Sequence, residues 1–152
     1  MDVLAMATAI ACAGMGGVFF AFSSFVMRAL ARLSPAHGIV AMQSINIVAV
    51  TPLFMTALFG TAVACVVLAA NAVIDWRGVA SAYVLAGTMS YLVGAIVVTI
   101  IFNVPLNNQL VALDATSADA MWFWFRYVRR WTAWNHVRAL SAFVAAALLL
   151  LG

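Results

Sequence analysis

Trp131-Thr132-Ala133-Trp134-Asn135-His136-Val137-Arg138 is followed by only fourteen residues, Ala139 to Gly152, and none of them is charged. An apolar tail of that length falls short of the ~20 residues that a membrane crossing needs, so a last span must take in the polar segment before it. At ~1.5 Å per residue, the steps from Leu151 back to Trp131 cover ~30 Å, the thickness of the hydrocarbon core. Trp131 then marks one interface, and Arg138 lies about a third of the way in from it. A charge at that depth costs ~2.5 to 3.5 kcal/mol unless it faces the bundle interior or a wet cavity. Arg138 is therefore expected to point inward.

The rest of the chain agrees with a bilayer as solvent. Of 152 residues, 68% are apolar and 7% charged, with a mean hydropathy of +1.16. A soluble domain of this composition has too little polar surface to cover itself. The expected fold is all-α: a single four-span domain over residues 1–152, an integral membrane four-helix bundle in up-down-up-down order, with spans at about 3–27, 47–72, 79–103 and 131–151. Asp2 stands where the basic start of a cleaved leader would be, so the first span reads as one that stays. It is expected to run to Leu33 and stop at Ser34-Pro35. The second helix begins near Ile39 with a kink at Pro52, and the third stops at Pro105, which lacks an N–H to donate. A polar connection follows, and the last helix runs from a cap near Ser117 to Leu151.

The basic pI of about 9.4 comes from seven arginines without a lysine. They sit in short connections between apolar spans, which argues for membrane topology and against a nucleic-acid partner. Six of them (Arg28, Arg32, Arg126, Arg129, Arg130 and Arg138) follow the first and third spans, against Arg77 on the opposite side. The positive-inside rule places those two connections in the cytoplasm and both termini on the extracytoplasmic side, in a bacterial inner membrane by expectation. Cys12 and Cys65 fall deep in separate spans with no metal-ligand or redox spacing, and read as small core residues.

Trp131, Trp134, Asn135 and Arg138 recur at i, i+3, i+4 and i+7, one stripe of a helix, with His136 on its flank. Alternating topology brings Ser23 and Arg28 of the first helix, Gln43 and Asn46 of the second, and Asn103 and Asn107 after the third to the same end. Gly16, Gly17, Gly60 and Gly94 fall at the depth of Arg138, where small residues leave room for a ligand. Each polar residue also has a structural reading, as a tie between helices, and the tryptophans as an interfacial belt. Convergence at one end favours a site, since ionisable residues inside a membrane are site candidates. A metal site fares worse: two histidines, no glutamate and four aspartates in termini or connections do not assemble three ligands.

Phe22-Ser23-Ser24-Phe25-Val26-Met27-Arg28-Ala29-Leu30, Ala41-Met42-Gln43-Ser44-Ile45-Asn46, Asn103-Val104-Pro105-Leu106-Asn107 and the Trp131–Arg138 segment resemble, in order, four signature segments of the anthrone oxygenase-like membrane family. The resemblance implies oxidation of an anthrone-type aromatic polyketide without metal or flavin, with molecular oxygen as co-substrate and no resident cofactor. Such a substrate has an acidic methylene beside a carbonyl, so it calls for a base, an oxyanion donor and an aromatic slot. On that reading His136 is the base, Arg138 with Asn135 and Asn103 holds the oxyanion, and Trp131 and Trp134 flank the ring. The expected partners are membrane lipid and a hydrophobic aromatic small molecule. Lipid-facing Gly and Ala leave homo-oligomerisation open. The alternative is a non-catalytic protein that binds or carries a hydrophobic molecule or lipid.

Overall fold

The computed structural model describes residues 3–152, so Asp2 and the reading built on it lie outside the described residues. Those residues fold into five helices: α1 (Val3–Leu30), α2 (Pro35–Val48), α3 (Pro52–Ile74), α4 (Val79–Val111) and α5 (Ala118–Leu151). All but α2 are long and apolar enough to cross a membrane. The protein is an all-α integral membrane bundle. Residues such as Leu53 and Ile74, each 84% exposed, would be costly in water and are at home against lipid.

The four spans pack in a closed square, α1 and α4 each lying against both α3 and α5. Ala5, Asp75, Ala80 and Gly152 gather at one end, which fixes the alternating direction of the helices. Two clusters fill the interior. One joins Cys12, Phe19, Cys65, Tyr91 and the small stripe Ala139, Ala142, Ala145 and Ala146; the other joins Met27, Met42, Trp124, Tyr127 and Trp131. Small residues along α5 let neighbouring backbones come close. The cysteines, unrelated by spacing, are free and meet side by side in the first cluster.

Two boundaries differ from the sequence-based expectation. Pro52 does not kink a continuous helix; α2 ends at Val48 and Pro52 opens α3. A proline disfavours helical geometry in the residue before it and is well suited to the first helical position. Thr51 is accordingly extended, and its hydroxyl accepts from the Phe54 N–H at 3.4 Å. The separate α2 packs against α4 and α5, and Gln43 Nε2 donates to the carbonyls of Leu110 (2.9 Å) and Leu113 (3.1 Å).

Pro105 does not stop α4, which continues to Val111. The turn before it, Thr99–Asn103, is π-helical, as are Leu92–Val97 in the same helix and Phe22–Val26 in α1. The wider register absorbs the missing proline donor, and Val104 keeps ordinary helical angles. Hydroxyls cover carbonyls around these turns, Ser24 donating to Phe20 O at 2.7 Å and Thr99 to Ala95 O at 2.6 Å. At the far end of the 112–117 connection, Ser117 caps α5 by accepting from the Ala120 N–H at 3.1 Å.

Candidate functional site

A cavity of about 550 Å³ opens between the two core clusters, with walls from all five helices. That volume suits a drug-sized ligand. Its apolar side is built from Phe19 and Phe22 of α1, Met42 and Ile45 of α2, and Phe54 and Leu58 of α3. Its polar side is built from Asn46 of α2, Asn103 and Asn107 of α4, and Trp131, Asn135 and Arg138 of α5. The α5 residues stand at i, i+4 and i+7, so one helical stripe reaches the space.

Asn107 organises the polar wall. Its Oδ1 accepts from the Tyr127 hydroxyl and from Trp131 Nε1, both at 2.8 Å, which fixes the orientation of the indole. Asn103 Nδ2 donates to Trp131 O at 3.3 Å, and Asn135 Nδ2 donates to Phe19 O at 2.6 Å and Ser23 Oγ at 2.7 Å. Both asparagines therefore spend their donors on the bundle.

Four polar atoms on these lining residues are left unmatched. Asn103 Oδ1, Asn135 Oδ1, Asn46 Nδ2 and Arg138 Nε are buried without a hydrogen-bond partner, although Asn46 lies beside the Tyr127 hydroxyl. Buried polar groups are nearly always paired, so unmatched acceptors and donors on residues around one space mark it as a candidate site for a polar ligand. Arg138 is 6% exposed. Its guanidinium carbon stands 3.9 Å from the Phe19 ring centroid and 5.9 Å from that of Trp131, a cation held by aromatic faces. Among the described residues the ion pair that forms joins Arg77 to Asp75 at the opposite end, so no carboxylate answers Arg138.

The other residues singled out in the sequence lie elsewhere. His136 is exposed on the outside of α5, where it shares a shallow groove with Ser23 and Arg28. One residue beyond Asn135 is a rotation of about 100°, enough to carry the imidazole off the inward stripe. Trp134 stacks on Phe102, with ring centroids 3.6 Å apart and planes within 7°, at the α4/α5 seam rather than in the cavity. Gln43 anchors α2. Gly16 and Gly94 do not make the room either: a side chain at Gly16 would meet Phe143, and one at Gly94 would meet Ser141. They serve close helix approach, as does Ser90, whose hydroxyl donates to Ser141 O at 2.9 Å.

Tyr127 is the residue that sequence reading passed over. It sits one turn before Trp131 on the same stripe, so extending the i, i+4 pattern backwards would have found it. Among the described residues no group of three or more His, Cys, Asp or Glu is placed to share a metal ion.

The model of the anthrone oxygenase family matches residues 51–148, well over half of the chain. The chain belongs to the anthrone oxygenase family. The part that matches this family runs from the start of α3 through nearly all of α5. It holds Asn103, Asn107, Trp131, Asn135 and Arg138, while α1 and α2 close the cavity from outside it. No curated protein and no solved structure gives a match.

Proposed function

We propose that this membrane protein oxidises an anthrone-like aromatic in the cavity, with molecular oxygen as co-substrate and no resident cofactor. The observation that carries the reading is Arg138: a buried cation without a counter-ion at the polar end of an otherwise apolar space. An aromatic ketone with an acidic methylene becomes an enolate on losing a proton. Its oxygen is the anion that Arg138 lacks, and Asn46 Nδ2 is a second donor toward the same space. Stabilising the enolate raises the fraction of substrate in the electron-rich form. Its ring lies along Phe19, Phe22 and Met42.

The balance then closes on the substrate's own electrons. The methylene proton leaves to water, and the enolate carbon gives its electron pair to dioxygen, forming a carbon–oxygen bond. Protonation yields a hydroperoxide on that carbon. Loss of water from it breaks the oxygen–oxygen bond and leaves a second ring carbonyl, so one anthrone and one dioxygen become one anthraquinone and one water. No step falls to His136, which lies outside the cavity. We place the reaction in a bacterial inner membrane, with the cavity toward the cytoplasm and both termini on the other side.

The test is oxygen uptake by the purified protein in nanodiscs, with an anthrone as substrate. The expected result is consumption above the protein-free autoxidation rate, one dioxygen per quinone formed. Arg138→Gln should lower kcat/KM by at least about tenfold, the worth of a lost charge-assisted hydrogen bond, Arg138→Lys should recover part of it, and Arg77→Gln at the far end should leave it unchanged. Uptake equal to the protein-free rate would end the oxygenase reading. It would favour a second one, a carrier of a hydrophobic molecule, which draws support from the lack of imidazole and carboxylate among the cavity-lining residues.

A further inference from the structure

We propose that the outer groove between α1 and α5 is a binding site for the headgroup of an anionic glycerophospholipid. The groove measures about 340 Å³ and lies on the side of α5 away from the cavity. Arg28 enters it from α1, and Arg129 and His136, seven residues apart on one face of α5, enter it from the other side. No acidic residue lines it. Thr132 also lines the groove, and its hydroxyl is buried without a partner. Two arginines lining one groove with no carboxylate between them suit phosphate oxygens, which arginine grips through paired N–H donors.

The surface continuing from the groove shows why the phosphate belongs to a lipid. His136, Leu140 and Phe143 follow at i, i+4 and i+7 along the same face of α5. Leu140 is 66% exposed, and Phe143 meets Phe20 of α1 edge to face with centroids 6.4 Å apart, the two residues 41% and 57% exposed. Cations at the end of a span thus pass into a strip of exposed hydrocarbon on the same helix seam. This is the order of headgroup and acyl chain in a bilayer leaflet, and basic pockets between spans are where anionic headgroups lodge. A free phosphate would use the groove and leave the strip idle.

The experiment reconstitutes the full chain in mixed vesicles of phosphatidylcholine and phosphatidylglycerol, re-extracts it in detergent, and measures the lipids retained by native mass spectrometry. Phosphatidylglycerol should be retained over phosphatidylcholine, and Arg28→Gln and Arg129→Gln should each cut that preference about fivefold. Arg126→Gln, which removes an arginine outside the groove, should leave it intact, and millimolar inorganic phosphate should not displace the lipid. Equal retention of the two lipids would overturn the proposal. So would an equal loss in Arg126→Gln, which would mark nonspecific charge, or displacement by phosphate alone, which would mark a free-anion site. Because all three arginines are exposed, circular dichroism should show unchanged helix content. A photoreactive phosphatidylglycerol on the unaltered protein gives a second reading: crosslinks on residues of the α1/α5 seam support the site, and crosslinks elsewhere overturn it.

Discussion

The guanidinium carbon of Arg138 lies 3.9 Å from the centre of the Phe19 ring, so a cation on α5 is seated on an aromatic face of α1. The ring replaces only part of the hydration that the charge gave up, because cation–π attraction is worth about 0.5 to 2 kcal/mol while removing an ion from water costs several.

On the proposed function, Arg138 trades stability for turnover. Replacing it by methionine, similar in length and apolar, should raise the thermal midpoint in detergent, with a gain of about 1 kcal/mol, while abolishing turnover. A melting curve and an oxygen-uptake assay on one preparation check both halves. A fall in the midpoint would show instead that Arg138 holds the bundle together.

Asn107 should behave oppositely. Its Oδ1 is the shared acceptor for Tyr127 and Trp131, so Asn107→Leu strands two donors and should cost about 2 to 4 kcal/mol. Asn107→Asp keeps an acceptor and should cost less. Thermal unfolding of the two variants gives the comparison, and tryptophan fluorescence reports whether the Trp131 indole is released.

The Gly94 contact predicts a rescue. A side chain added there would run into Ser141, and overpacking of a tight contact costs about 1 to 3 kcal/mol. Gly94→Ala should be destabilised by that amount, and adding Ser141→Gly should return most of the loss. If the double variant is no better than the single, the α4/α5 approach at this level is looser than the structure has it.

Asp114 gives a pH dependence outside the membrane. Its Oδ1 accepts from Thr116 N–H at 2.9 Å and from the Thr116 hydroxyl at 2.8 Å. These bonds favour the charged carboxylate and hold Asp114 below the usual carboxylate range, the backbone bond contributing most. A depressed folded-state value means that this local order is present at neutral pH and is lost as pH falls through that lowered value. The protection factor of the Thr116 amide, taken against the intrinsic exchange rate at each pH, should fall in acid, and Asp114→Asn, with a weaker neutral acceptor, should lower it already at neutral pH.

Much of this architecture is legible in the chain, for a particular reason. Trp131, Asn135 and Arg138 recur at i, i+4 and i+7, so helix geometry alone puts them on the one stripe of α5 that reaches the cavity. The limits are equally physical. Periodicity leaves an uncertainty of one residue on either side of a stripe, and His136 and Trp134 turn away within that margin. Proline marks where an α-helix loses a hydrogen bond but carries no sign of whether the chain ends, splits or widens there. Pro52 starts a helix, whereas Pro105 passes through one behind a π-turn. The break between α2 and α3 leaves little trace in hydropathy, because the apolar residues Ile47, Val48, Ala49 and Val50 lead straight into Leu53 and Phe54 across Thr51-Pro52.

The π-turn at Thr99–Asn103 has a further consequence. It holds one residue more than an α-turn, and because the wider turn takes up that residue, the helix beyond it keeps the phase of a plain α-helix one residue shorter. Removing Ile100 or Ile101 would then close the bulge and leave Asn107 facing Tyr127 and Trp131. The polar wall is in this sense cushioned, and the loss of a single codon in the turn behind it would spare both the residues that form it and their register.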